Sequence, residues 1–202
     1  MATNIELSNI EINEMIYLNI LKMLKRRNLI NDVKEIYSII LPDINNKVSI
    51  EFNLIDNTKC SVYIISAKLS SILRNTPVDD YLSNNIDIHK IVILKDAVKK
   101  VIRQILIDYR NTEFFFEHEM LEDIPSKIFI PRHEILDKAD KCELLTKFSI
   151  GELSVILDTD TMARYYNAHV GDIFRIYRPS LICGTSIYYR IVSSGSLDNL
   201  YI

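Results

Sequence analysis

With 202 residues, 24 Lys and Arg against 27 Asp and Glu, and a formal net charge of -3, the chain lacks the basic excess by which a free-standing nucleic-acid binder displaces counterions from phosphate. Its 48% hydrophobic and 25% charged residues are those of a folded protein, far from the composition of a disordered chain. Only four glycines are present, which weighs against glycine-rich phosphate loops, and three scattered cysteines, Cys60, Cys142 and Cys183, form neither a disulfide framework nor a CxxC pair.

A reducing compartment follows from that cysteine usage. The segment Met1 to Glu14 carries three acids and no apolar core, so no secretory signal is read. No uncharged apolar run approaches the roughly 18 residues of a membrane span, and the expectation is a soluble intracellular protein without membrane contact. Ile and Asn are frequent, and both have AT-rich codons.

From Glu11 to Arg27, Ile12, Met15, Ile16, Ile20, Met23 and Leu24 recur at helical spacing and end in the cations Lys25, Arg26 and Arg27. A second helix is expected from Asp32 to Leu41, with Asn31 as N-cap and Pro42 as stop. Val48 to Ile55 and Ser61 to Ile65 read as a strand pair around the turn-prone Asp56-Asn57. Ala67 to Arg74 is expected as a helix, Ile86 to Leu94 as a strand, and Asp96 to Arg110 as a helix with Val98, Val101, Ile102, Ile105 and Tyr109 on one side. This alternation predicts an α/β-type layered domain ending near Phe116.

The acidic stretch Glu117 to Ser126 marks a boundary, giving domains at 1–123 and 124–202 and an overall α/β (α+β) fold. In the second domain, Ile128 to Ile130 reads as a strand cut off by Pro131, and Lys138 to Lys147 as a helix capped by Asp137, with Asp140 reaching back. A short helix follows Asp160 from Thr161 to Tyr166, and strands are expected at Ile173 to Tyr177 and Tyr188 to Val192. Residues 1–123 hold 15 basic and 18 acidic side chains, and residues 124–202 hold nine of each. Neither half is a basic domain.

Several chemical motifs are incomplete. Val155 to Thr161 is an apolar run followed by DxDxT and resembles the opening of haloacid-dehalogenase-type phosphatases, in which Asp158 and Asp160 would serve as nucleophile and general acid beside magnesium. That chemistry requires a later lysine and further acids. After Asp160 the only acids are Asp172 and Asp198, and no lysine occurs, so the simpler expectation is a helix cap at Asp160 and a solvated turn residue at Asp158. His118-Glu119 and His133-Glu134 each begin an HExx pattern, but Glu122 and Asp137 stand where zinc needs the second histidine. The histidines, His89 and His169 included, are expected at the surface or facing a partner. A nuclease PD…(D/E)xK reading from Pro42-Asp43 fails at Asn57-Thr58-Lys59, where an amide replaces the carboxylate. No catalytic residue, cofactor or metal is assigned. Lys95, Lys99 and Arg103 fall at i, i+4 and i+8 on the Asp96 to Arg110 helix, with Lys100 adjacent, and form a candidate DNA-proximal ridge or an ordinary solvated face.

One ordered pattern covers about the last 75 residues: Phe129-Ile130-Pro131-Arg132-His133-Glu134-Ile135-Leu136, Lys141 to Phe148, Leu153 to Ile156, Asp160 to Tyr166, Gly171 to Ser180, and Gly184 to Val192 with Tyr189-Arg190-Ile191-Val192. It resembles the C-terminal domain of the fifth subunit of eukaryotic-type DNA-directed RNA polymerases, a family whose archaeal members keep that domain alone. The resemblance implies a non-catalytic protein with an N-terminal jaw domain and a C-terminal assembly domain, the latter docking on the largest polymerase subunit and the former lying near downstream double-stranded DNA. It implies the nucleus for a cellular copy, and a virion or host cytoplasm for one from a large DNA virus. Candidate partner contacts are Pro131, His133, Tyr165, Arg178, Tyr188 and Arg190, the tyrosines and arginines being anchor types that interfaces favour. The family usually has Pro at positions 154 and 161, Gly at 167 and a polar turn at 181–183, where this chain has Ser154, Thr161, Asn167 and Leu181-Ile182-Cys183. Leu181-Ile182 would expose apolar groups unless a neighbouring subunit covers them.

Overall fold

The computed structural model describes residues 8–84, 87–109, 111–180, 182 and 184–196. They form two compact units that divide between Asp123 and Ile124.

The first unit begins with helix α1 (Asn9–Arg26), closed at its N-terminus by a reciprocal capping box between Ser8 and Glu11. Its apolar stripe buries Ile16, Ile20, Met23 and Leu24. Helix α2 (Val33–Ile40) is capped by Asp32, whose carboxylate accepts from the Lys34 amide; Asn31, the expected cap, stands one residue too early. Pro42 does not stop the chain's coiling but sits inside a 3-10 turn at Leu41–Asp43, where its missing N–H costs nothing.

Strand β1 (Ser49–Asn53) pairs antiparallel with β2 (Lys59–Leu69). Asn57, at φ 62, turns the chain between them, and the Asp56 carboxylate accepts from the Thr58 amide and hydroxyl. β2 runs to Leu69, into the segment expected as a helix from Ala67 to Arg74, because Lys68 and Leu69 pair with Asp96 and Ala97 of β3 (His89–Ala97). The helix lies later, as α3 (Pro77–Ser83) with Thr76 as its cap. Helix α4 (Lys99–Asp108), strand β4 (Thr112–Phe116) and helix α5 (Glu117–Met120) complete the unit. Strand order is β1-β2-β3-β4, with β2, β3 and β4 parallel. Ile91, Val92, Ile93 and Leu94 of β3 are all buried, the continuous apolar run of a strand covered on both faces.

The acidic stretch after Phe116 belongs to this unit. Asn19 of α1 donates to the Met120 carbonyl at 2.9 Å, and Arg26 grips Asp123 with both terminal nitrogens. Beneath α1, Arg27 makes a two-pronged contact with Glu113 of β4 at 2.8 and 2.7 Å, and His89 Nε2 meets the same carboxylate at 2.6 Å. Although burial alone would raise its pKa, the Arg27 guanidinium and His89 hold Glu113 down at about 2.

In the second unit, 128–130 is not a strand: these residues form a turn, Ile128 is 101% exposed, and no described strand pairs with them. The first strand is β5 (Arg132–Ile135), beyond Pro131. Helix α6 (Lys138–Lys147) is capped by Asp137, which accepts from the Asp140 amide. Asp140 itself does not reach back but binds Arg175 at 2.9 Å. Strand β6 (Ser154–Leu157), helix α7 (Thr161–Tyr165), β7 (Ile173–Ser180) and β8 (Gly184–Ser193) follow. Strand order is β5-β7-β8-β6, with only β6 and β8 parallel. One sheet face packs Ile156, Phe174, Ile176 and Val192 with Ala163 of α7, and the other packs Ile173 with Leu136 and Leu144 of α6. The molecule is thus α+β throughout, and no described helix is long and apolar enough to cross a membrane.

Candidate protein interface

Side chains alternate along a strand, so register assigns each one to a face. His133 aligns with Ile176, which aligns with Tyr188, and Phe174 aligns with Arg190. Arg178, two residues beyond Ile176, shares their side. Four of the six residues suggested as partner contacts, His133, Arg178, Tyr188 and Arg190, therefore lie on one face of the sheet, the face that carries Phe174 and Ile176.

α7 closes one end of that face through Ala163 and the partly buried Tyr166. The other end stays open. Tyr188 is 48% exposed, and the Arg178 guanidinium lies 4.8 Å from the centre of its ring, a stacked cation that presents a flat, weakly hydrated surface. His133 packs edge-on to Phe174, with centroids 5.7 Å apart, and its Nδ1–H donates to the Pro131 carbonyl at 2.7 Å. Burial lowers its pKa, outweighing the opposing hydrogen bond to the Pro131 carbonyl and the charge of Asp160. Pro131 is thereby tied to His133 through its carbonyl and precedes β5 directly.

Tyr165 is a correction. It is 2% exposed, and its ring meets Tyr166 edge-on at 5.4 Å, which in turn meets Phe174 at 6.0 Å. A five-residue helix pressed on a sheet points one side inward, and Tyr165 is on that side. It supports the face without being part of it.

The opposite face holds Tyr189, whose type also marks it as an anchor, together with Arg132, Arg175 and Tyr177, which sequence reasoning missed. Arg132 stacks over Tyr177 at 5.2 Å, the Tyr177 hydroxyl donates to Glu134 at 2.8 Å, and Arg175 lies 6.0 Å from the Tyr189 ring. The signal available was the alternation in β7 itself, where Arg175 and Tyr177 interleave with Phe174 and Ile176. Ile128 and Phe129 are also bare, at 101% and 73%, with Lys127 Nζ 5.8 Å from the Phe129 ring centre. Ile182 is 96% exposed in the β7–β8 turn. Leu181 and Cys183 lie outside the described residues.

The basic ridge does not form as one helical row. Lys95 is the exposed seventh residue of β3, whereas Lys99 and Arg103 are exposed on α4, which starts only after Val98. The helix begins late because Asp96 and Ala97 are held in the sheet by Lys68 and Leu69. Lys99, Lys100 and Arg103 remain together as a shorter cationic patch, beside the exposed apolar residues Leu106 and Ile107.

The acid pair after β6 is occupied by backbone. Asp160 caps α7 by accepting from the Met162 amide at 2.8 Å. Asp158 is half-buried and accepts from the Gly195 amide at 2.8 Å, so it is a structural ligand and not a solvated turn residue. Asp43 pairs with Lys47. Among the described histidines, His118, stacked on Phe116, and His169 are exposed as expected, whereas His89 is held inside the first unit by Glu113 and departs from that expectation. No group of three or more His, Cys, Asp or Glu side chains able to hold a metal occurs among the described residues.

Comparison with known proteins bears on the same unit. Residues 122–192 match the family described as RNA polymerase Rpb5, C-terminal domain. The chain is 32% identical over 135 residues to DNA-directed RNA polymerase subunit 5 of Acanthamoeba polyphaga mimivirus, covering 65% of this chain and 64% of that protein. It is 32% identical over 108 residues to the DNA-directed RNA polymerases I, II, and III subunit rpabc1 of Dictyostelium discoideum, covering 50% and 55%. It is 40% identical over 67 residues to DNA-directed RNA polymerase subunit Rpo5 of Archaeoglobus fulgidus, covering 32% of this chain and 88% of the shorter archaeal protein. The matched stretch thus spans less than two thirds of the viral and eukaryotic relatives.

Proposed function

Since residues 122–192 belong to the RNA polymerase Rpb5 C-terminal domain family, we propose that this chain is a non-catalytic subunit of a multisubunit DNA-directed RNA polymerase. The observation that carries the reading is the coincidence of this match with a sheet face that bears His133, Arg178, Tyr188 and Arg190. Other polymerase subunits are its partners, and the largest subunit is the one we assign to this face, with Pro131 at its margin. An exposed tyrosine under a stacked arginine gives a partner a large, rigid contact with little side-chain freedom left to lose. Ile182 at 96% exposure supports the same reading, since burying it in an interface recovers the transfer energy that solvent denies it.

The first unit then lies near downstream duplex. Lys99 and Arg103, with Lys95 on the neighbouring strand, would meet phosphate only once the complex holds them there, because this half of the chain carries more acids than bases. The compartment follows the polymerase: the nucleus in a cell, a virion or the host cytoplasm for a virus. The phosphatase alternative has no support, because Asp158 and Asp160 are spent on backbone amides and the relatives named above are polymerase subunits.

The test is co-purification of the full chain with the largest polymerase subunit. The Arg178→Glu, Tyr188→Ala double variant should lose that partner by at least about a hundredfold in affinity while melting as the parent does, since both side chains are at the surface. Retention of the partner by a folded double variant would remove this face from the assembly.

A further inference from the structure

The first unit has an open strand edge with a groove beside it. β1 covers β2 only from Lys59 to Tyr63, where Ser49 is the last paired residue. β2 continues to Leu69, paired on its other side with β3 at Ile64, Ile65, Lys68 and Leu69, with a bulge between Ile65 and Lys68. Along 64–69 no described strand occupies the β1 side. There a groove of about 530 Å³ is lined by Ile64, Ile65 and Leu69 of β2, by Tyr17 of α1, and by Val48 and Val78 from flanking segments. Two charged residues line it, Lys47 and Lys68, and no acid does.

We propose that this edge takes up an extended segment of a partner protein as an added strand, in the position β1 would hold if it were longer, and that the segment alternates apolar and acidic residues. Three features select that occupant. Free backbone N–H and C=O groups along an edge are satisfied by another extended chain, and alternate side chains of that chain drop into the adjoining groove. Six residues of strand offer about 20 Å of edge, enough for a short linear segment. The rim chooses the charge: Lys47 and Lys68 are 57% and 65% exposed and hold only the exposed carboxylates of Asp43 and Asp96, contacts that a partner's acids can exchange for their own. The lysine rim disfavours a second copy of this chain, since pairing two such edges gathers Lys47 and Lys68 of both copies at grooves that no acid lines.

The probe is a labelled hexapeptide alternating valine and glutamate, titrated into the full chain by fluorescence anisotropy. Saturable binding is expected, weakened about tenfold by the Lys47→Glu, Lys68→Glu double variant and abolished when alternate peptide nitrogens are methylated to remove donors. Melting curves of the double variant establish that it folds, and the methylated peptide needs no variant at all. Absence of saturable binding, equal binding of the methylated peptide, or equal binding of a valine-lysine peptide overturns the proposal. Concentration-dependent dimerisation lost in the double variant would assign the edge to a second copy and overturn it as well. The outcome is independent of the polymerase reading, because neither the probe nor the edge involves the second unit.

Discussion

In the first unit the decisive arginine is inside: Arg27 is 5% exposed and clamped on Glu113 beneath α1. Lys90 is likewise buried, its ammonium donating to the carbonyls of Leu82 and Asn84 at the end of α3. In the second unit the cations lie on the sheet faces, with Arg132 75% exposed and stacked on Tyr177, and Arg178 stacked on the half-exposed Tyr188. Two mixed four-stranded sheets thus use the same residue types for different ends. A buried pair fixes one arrangement of its own chain and is costly to break, whereas a cation resting on an aromatic ring at the surface is available to a second protein.

The comparison breaks most visibly at the aromatic core of the first unit. Phe115 is 0% exposed in β4, and Phe115→Ala should cost about 4 kcal/mol in chemical denaturation. If each unit is held by its own interior, hydrogen exchange should locate that loss in residues 8–123; equal loss of protection throughout both units would defeat the contrast. Acid comes next. Glu113 has a folded-state pKa of about 2, below its ordinary 4.5, so its contribution is fully present above pH 4.5 and disappears as pH falls through that value toward 2. The contribution is on the order of 3 kcal/mol. Exchange protection at pH 6, 4 and 3 should fall first around β4 and the end of α1, and Glu113→Gln should flatten that dependence. The smallest effect belongs to the second unit: Asp160→Ala removes the cap of α7 and should lower stability by about 1 kcal/mol, with Asp160→Asn restoring most of it.

How much of this was legible depended on the range of the cause. α1 was readable because its stripe and its cationic end lie within one continuous stretch of chain, although its cap at Ser8 and its start at Asn9 were not read. The polymerase-type pattern was readable because it spreads over many positions of one small unit. The segment after Ile65 was misread because Ala67, Lys68 and Leu69 are good helix formers, and only pairing with Asp96 and Ala97 makes them strand. Ile128 to Ile130 has strand composition and no strand to join. The Lys95 ridge failed by the same pairing, which delays the start of α4. Tyr165 looked like an anchor because a tyrosine in sequence does not reveal which side of a five-residue helix it occupies. The Arg27, Glu113 and His89 cluster joins positions up to 86 apart, and no local spacing announces it.

The strand order of the second unit also constrains when it can form. β8 is the last described strand in sequence but lies inside the sheet, between β7 and β6, and β6 has no other strand partner among the described residues. During synthesis β6 must therefore wait, unpaired, until residues 184–193 have left the ribosome, and Gly195 must follow before Asp158 has its amide. The first unit, complete by Asp123, can fold while the rest is still being made. A nascent chain halted near residue 180 would accordingly present one finished unit and one unfinished sheet, which gives quality-control factors a defined stage at which to act on this protein.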